Sequence, residues 1–279
     1  MDTIPLPAQI GGKKQGKLTI FASYFSGTGK SYAMLGAAEK ARQAGADVVI
    51  GLLCCDLWPQ TRALARKFET LPCKTVDHSG QTECEVDLDA CLKRLPQLIL
   101  IDDLAHLNGD TSRHRKRYQD IEELLKAGVD VYTTLDIQHI ESIQDTIFSI
   151  LGYSESKRIP DHVFDQAAQV EFVDIEPQRL QQRLLEQTKG ALLSNCSLSQ
   201  LSALRETGLR RCADRAALYT HGIHNRAEYR THEHILVCLS SAPSNEKIIR
   251  TAARMASAFQ CGFTALFVET KEFQWMTQP

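Results

Sequence analysis

A glycine-rich turn, Gly27-Thr28-Gly29-Lys30-Ser31, lies between a short apolar run over 18–23 (LTIFAS) and a helix-like stretch over 32–44. A strand entering such a turn and a helix leaving it is the context in which G-x-x-x-x-G-K-[ST] acquires chemical meaning. Gly27 and Gly29 let backbone N–H groups turn inward around phosphate oxygens, and the helix N-terminus adds the positive end of its dipole. Lys30 then reaches the β- and γ-phosphates, and the Ser31 hydroxyl holds Mg²⁺. One position departs from the pattern: Tyr24 stands where the first glycine would be, and its side chain either crowds the loop or lies across a nucleotide.

The rest of the chain repeats the alternation. Apolar runs at 47–53 (DVVIGLL), 98–101, 129–135 and 171–175 are separated by helical spacing at 60–68, 88–94, 120–127, 137–150 and 177–187. Near-continuous hydrophobicity over 47–53 fits a strand buried on both faces. Strands alternating with helices imply βαβ units, hence an α/β fold in which helices cover both faces of a parallel sheet. Residues 1–16 read as a loose leader. A long amphipathic, arginine-rich helix from 198 to about 219 leaves the first domain. The pattern restarts at His234 with a strand, a turn over 240–244, a helix and a strand at 262–268. The domains are therefore 1–16, 17–220, a linker over 221–233, and an incomplete segment over 234–279. One β-α-β piece buries too little surface to stand alone, so it docks, pairs with a second copy, or is a remnant.

The run at 98–101 delivers Asp102 and Asp103 to the carboxyl end of its strand, where ligands of open α/β sheets bind. Asp102 is placed to hold Mg²⁺ opposite Ser31, and Asp103 to orient an attacking water. Thr133, Thr134 and Asp136 end the fourth strand, as a γ-phosphate sensor or as helix caps. The basic run 113–117, at a helix start, reads as a solvated face or as a contact for phosphate or an acidic partner. Residues 221–234 carry four histidines in no compact zinc spacing, and read as linker.

Lys plus Arg is 32 and Asp plus Glu 34, a net charge of −2. That balance gives no global attraction to nucleic acid or to an anionic membrane. No apolar run nears the roughly 18 residues of a membrane helix, and the first residues lack a secretory pattern. Cytoplasmic localisation is expected. Nine cysteines with no C-x-x-C read as separate reduced thiols used as small apolar residues.

These residues together resemble the N-terminal cytoplasmic sensor region of KdpD, the osmosensitive potassium-responsive histidine kinase. The resemblance runs from Gly16 to about Leu218. It is carried by 27–34, 98–106, 112–125 (SRHRKRYQDIEELL), 127–139 (AGVDVYTTLDIQH), Pro160-Asp161, 171–174 and 204–215 (LRETGLRRCADR). It implies ATP·Mg binding at Gly27, Thr28, Gly29, Lys30, Ser31 and Asp102, and a regulatory role in two-component signalling. Asp103 departs from the family's Glu, Tyr118 from its Trp and Asp136 from its Asn, and 54–58 lacks its Glu-Thr-His-Gly-Arg.

The restart at His234 resembles a universal-stress-protein-like domain. Ser240-Ser241-Ala242 is followed, after 243–262, by Phe263-Thr264-Ala265-Leu266-Phe267. That spacing resembles a cyclic di-AMP receptor and implies a second ligand held by Ser240, Ser241, Phe263, Thr264 and Ala265. No histidine stands in a phosphoacceptor context, so autophosphorylation is not expected. Partners would be a separately encoded kinase or potassium-transport components, the membrane being reached only through them, with homo-oligomers forming through 234–279. Three functions stay open: an ATP-binding sensor, a P-loop ATPase or small-molecule kinase using Asp103, and a scaffold that no longer binds nucleotide.

Overall fold

A computed structural model describes residues 15–54, 58–78, 81–153, 156–188, 196–223, 234–239, 245–258 and 262–267. The chain divides into two compact units, Met1–Tyr219 and Thr220–Pro279.

In the first unit β1 (Leu18–Ser23) leads to α1 (Lys30–Gln43), β2 (Val48–Leu52), α2 (Pro59–Ala65) and β3 (Glu69–Thr70). A hairpin follows, β4 (Lys74–His78) and β5 (Gln81–Glu85), then α3 (Leu88–Arg94), β6 (Leu98–Ile101), α4 (Arg117–Lys126) and β7 (Asp130–Asp136). Two 3₁₀ turns and α5 (Gln144–Leu151), α6 (Asp161–Asp165), β8 (Gln169–Phe172), α7 (Pro177–Thr188) and α8 (Leu198–Ile223) complete it.

Six strands form one sheet in the order β3-β2-β6-β7-β1-β8, and every pairing is parallel. Successive strand residues point to opposite faces, and here both faces are covered. Ile20 and Ala22 of β1, with Ile99 and Ile101 of β6, enter one core. Phe21, Leu98 and Leu100 enter the other, against Met34, Leu35 and Ala38 of α1. Burial on both sides is why these strands read as unbroken apolar runs.

The structure corrects several sequence expectations. The hairpin β4–β5 was not read, because its polar alternation lacks an apolar face. The long helix runs past Tyr219, where the first unit ends, but its opening turns are not free of that unit: Leu201 and Leu204 of α8 are fully buried in its core. Arg211 of α8 is buried too, paired with Asp161 and with Asp165 at 2.6 Å, and stacked 4.8 Å from the Phe164 ring. Not every cysteine is a thiol: Cys73 and Cys84 form a disulfide across the hairpin. Nor is the whole basic run solvated. Arg113 is half-exposed and paired with Asp89 and Glu123, but Arg117 is only 3% exposed.

The second unit holds β9 (His234–Leu239), α9 (Asn245–Ala258) and β10 (Gly262–Phe267), with β9 and β10 paired in parallel. Val237, Ala252 and Ala256 are its buried apolar residues among those described. Residues 1–14, 224–233 and 240–244 lie outside the described residues. So do parts of the leader, the linker with His224 and His232, and the turn carrying Ser240 and Ser241.

Candidate phosphate and metal site

The turn after β1 is shaped by two glycines in the left-handed region, Gly27 at φ 84° and Gly29 at φ 105°. A side chain at either position would strain the backbone. At Gly27 a Cβ would also stand 2.8 Å from Leu184 Cδ2 of α7. Tyr24 neither crowds the loop nor crosses its mouth. It is fully buried in the core, and its hydroxyl donates to the Ile175 carbonyl at 2.7 Å. Burial, then the nearby Asp174, pushes its pKa up to about 12.

The strand order places β7 between β1 and β6. Residues far apart in sequence therefore meet above the carboxyl ends of three neighbouring strands. Gly27, Gly29, Lys30, Ser31, Asp102 and Asp103 all line one cavity of about 420 Å³. Thr28 is buried beside it, and its hydroxyl has no hydrogen-bond partner among the described residues.

Asp102 is 2% exposed. Its carboxylate accepts from Ser31 Oγ at 3.1 Å, from the Cys54 N–H at 3.3 Å and from the Thr134 hydroxyl. A hydroxyl and a carboxylate facing each other are the hard oxygen donors that Mg²⁺ takes alongside phosphate and water. Lys30 Nζ donates to Asp136 at 2.6 Å and to the Phe25 carbonyl at 3.2 Å, with both side chains of the ion pair nearly buried. Ser26 Oγ donates to the same Asp136 carboxylate at 3.1 Å.

Asp103 is held in an uncommon backbone state, φ 57°. Its N–H donates to Thr134 Oγ1 at 3.0 Å, and Lys157 Nζ stands 3.4 Å from its carboxylate. Burial acts to raise its pKa, but Lys157, Arg117, His139 and His106 outweigh it and hold the carboxyl below the usual range. His106 is pushed the other way for a base: burial first, then Arg117 and Lys157, lower it to about 4. Beneath them Arg117 Nη1 donates to the Asp102 carbonyl at 2.9 Å and to the Asp103 carbonyl at 3.3 Å.

Arg117 belongs to the basic run 113–117, for which contact with phosphate or an acidic partner was the alternative to a solvated face. Two further basic residues at this site were not picked out from the sequence. Lys157 arrives on the loop after α5, and Arg183 on α7. Arg183 donates to the Gly27 and Thr28 carbonyls at 3.3 and 3.4 Å and stacks 5.4 Å from the Trp58 ring. No local pattern marks them, since each is brought in by packing of a separate element. Trp58 and Tyr32, also on the cavity wall, offer aromatic faces.

The second candidate site is described only in part. Phe263, Thr264 and Ala265 lie on β10, Phe263 is 38% exposed, and the Thr264 hydroxyl meets His234 Nε2 at 2.8 Å. Among the described residues no cluster of three or more metal-ligating side chains occurs. No described helix is long and apolar enough to cross a membrane.

A parallel sheet covered on both faces, with a glycine-rich turn between its β1 strand and α1, defines the P-loop-like α/β class. Within that class the chain belongs to the KdpD family of osmosensitive K⁺ channel His kinase sensor domains, which it matches over residues 14–216. It is 43% identical over 272 residues to the sensor protein KdpD of Clostridium acetobutylicum, covering 92% of this chain and 30% of that protein. It is 39% identical over 274 residues to the sensor protein KdpD of Escherichia coli K12, covering 94% and 30%. It is 38% identical over 269 residues to a putative sensor protein KdpD of Synechocystis, covering 94% and 73%. The chain thus spans about 30% of the length of the first two relatives.

Proposed function

We propose that residues 17–220 bind ATP·Mg and act as the regulatory sensor of a KdpD-type two-component potassium response. The observation that carries this reading is the meeting of Lys30, Ser31 and Asp102 in one cavity, with Ser31 Oγ 3.1 Å from the Asp102 carboxylate. The residues fit the ligand. Gly27 and Gly29 leave a cradle without Cβ atoms, the buried Thr28 hydroxyl is unpartnered among the described residues, and the donor set is one lysine with hard oxygens. ATP would supply the phosphate charge that Lys30 and the loop amides bind. Mg²⁺ would sit between Ser31 and Asp102 and screen that charge. Trp58 and Tyr32 would stack on the base. Signalling follows if the nucleotide favours one of two conformations, read by kinase and response-regulator components of the system.

A second reading, slow hydrolysis, is favoured by Asp103, whose carboxylate is held ionised in the same cavity. The scaffold reading rested on Tyr24 blocking the loop, and Tyr24 is turned into the core. Cyclic di-AMP remains a proposed ligand of 234–279, supported by the spacing of Ser240, Ser241 and 263–265.

Calorimetric titration with ATP·Mg on the wild type and on Lys30→Ala, then steady-state phosphate release, separates these readings. Binding that Lys30→Ala abolishes, without turnover, is the outcome expected for the sensor. Turnover well above the Lys30→Ala control would make it an enzyme. No heat and no shift in melting temperature would remove nucleotide from the account.

A further inference from the structure

Cys73 and Cys84 stand with their Cα atoms 5.5 Å apart on either side of the β4–β5 hairpin, within the span a disulfide bridges without backbone movement. Both are half-buried, and both border a second cavity of about 320 Å³ walled by Leu52, Leu53, Ala65 and Leu71. That cavity is the route by which a small thiol would reach them. Cys54 opens onto the same cavity and onto the phosphate site. Its walls, and then Asp102, push its thiol well up, which leaves little thiolate to react.

The hairpin is not hydrogen-bonded into the six-stranded sheet, and two strands alone are marginal in water. Yet it holds a loop that matters. Glu85, at the end of β5, is 1% exposed and accepts from the Gly109 N–H and from Ser112 Oγ. Glu83 lies 3.9 Å from His106 Nε2. The loop they hold, 103–116, begins at Asp103. It runs into Arg117, the first residue of α4, which grips the carbonyls of Asp102 and Asp103.

We propose that Cys73 and Cys84 are a reversible dithiol–disulfide site, and that closing it tightens the clamp of Glu85 on the loop carrying Asp103. The co-reactant class is a low-molecular-weight thiol and its disulfide. One cysteine thiolate attacks a sulfur of the small disulfide, forming a mixed disulfide and releasing one small thiolate. The other cysteine thiolate attacks the mixed disulfide, forming the Cys73–Cys84 bond and releasing the second. The two cysteine protons end on the two small thiols, and two electrons pass with them. Excess small thiol runs the same steps backwards.

The test uses the full chain in glutathione buffers from reducing to oxidising. Alkylation and mass spectrometry count free thiols, and hydrogen exchange follows the peptide 103–116, which contains the Gly109 amide. Cys73 and Cys84 should become protected together and reversibly, with exchange of 103–116 slowing about threefold or more on closure. Cys84→Ser, or Cys73→Ser in its place, should leave exchange insensitive to the buffer. Glu85→Gln should let the pair close without slowing exchange. The proposal is overturned if the wild-type pair stays alkylatable in every buffer, or closes with exchange unchanged. Neither readout needs nucleotide, so either result stands apart from the ATP reading.

Discussion

Asp136→Asn tests the proposed phosphate site from an unexpected side. Lys30 Nζ is 2.6 Å from Asp136, and the two side chains are only 10% and 13% exposed. A phosphate must take Lys30 away from that carboxylate and then sit beside it. A hydrogen bond to a charged group is worth about 1.5–3 kcal/mol net. The repulsion between the Asp136 carboxylate and a phosphate charge about 5 Å away, at an effective dielectric near 20, adds about 3 kcal/mol. Asparagine removes the repulsion and weakens the competing bond, and both changes favour the bound state. Solvent and the Mg²⁺ charge screen much of the sum, so a gain of about 1.5–3 kcal/mol is expected, and with about 1.4 kcal/mol per tenfold this is roughly tenfold to 150-fold tighter ATP·Mg. The variant should also melt earlier without ligand, because Lys30 exchanges a nearly buried ion pair for a neutral hydrogen bond. Isothermal titration at fixed Mg²⁺, with Lys30→Ala as control, reads the affinity. Equal or weaker binding by Asp136→Asn would refute the idea that Asp136 competes with phosphate.

Four further outcomes follow from the same geometry. Arg117→Leu removes two hydrogen bonds to the carbonyls of Asp102 and Asp103 and should cost about 3 kcal/mol, read as a lower urea midpoint. Gly27→Ala, at φ 84° and 2.8 Å from Leu184, should destabilise by about 1–3 kcal/mol and weaken nucleotide binding in the same titration. His106 has a folded pKa of about 4, against about 6.5 unfolded. The unfolded chain thus binds the extra proton, and stability present above pH 6.5 is lost as pH falls towards 4. His106→Asn should flatten that part of the stability–pH curve, and an unchanged slope would sink the assignment. Reducing the Cys73–Cys84 bond, which closes a sequence separation of 11, should cost about 2–3 kcal/mol. Differential scanning calorimetry with and without a reductant tests this, and equal midpoints would contradict it.

The departures between the linear reading and the structure have physical causes. A long helix from 198 to about 219 was legible from spacing, and the structure gives Leu198–Ile223, but its docking was not. Arg211 and Arg215 sit in an arginine-rich run, yet both lie against the Phe164 ring, and Arg211 also pairs with the Asp161 and Asp165 carboxylates. Glu85 has no sequence mark of burial. It is buried because a hairpin too polar to read as a pair of strands folds over the loop that Glu85 holds.

What the sequence determined by itself is local. The order strand, Gly27-Thr28-Gly29-Lys30-Ser31, helix can be read because left-handed glycines and a helix N-terminus act over neighbouring residues. Asp102 and Asp103 can be read because an apolar run must end where its strand leaves the sheet. Only the tertiary structure decided what these groups meet. Parallel strands pair with neighbours distant in sequence, so inserting β7 between β1 and β6 sets Asp136 on Lys30 and Thr134 on Asp102. Helices and loops packed on that sheet then bring Lys157, Arg183 and Arg117 to the same cavity or the backbone beneath it. Their positions depend on long-range packing, which no spacing along the chain encodes.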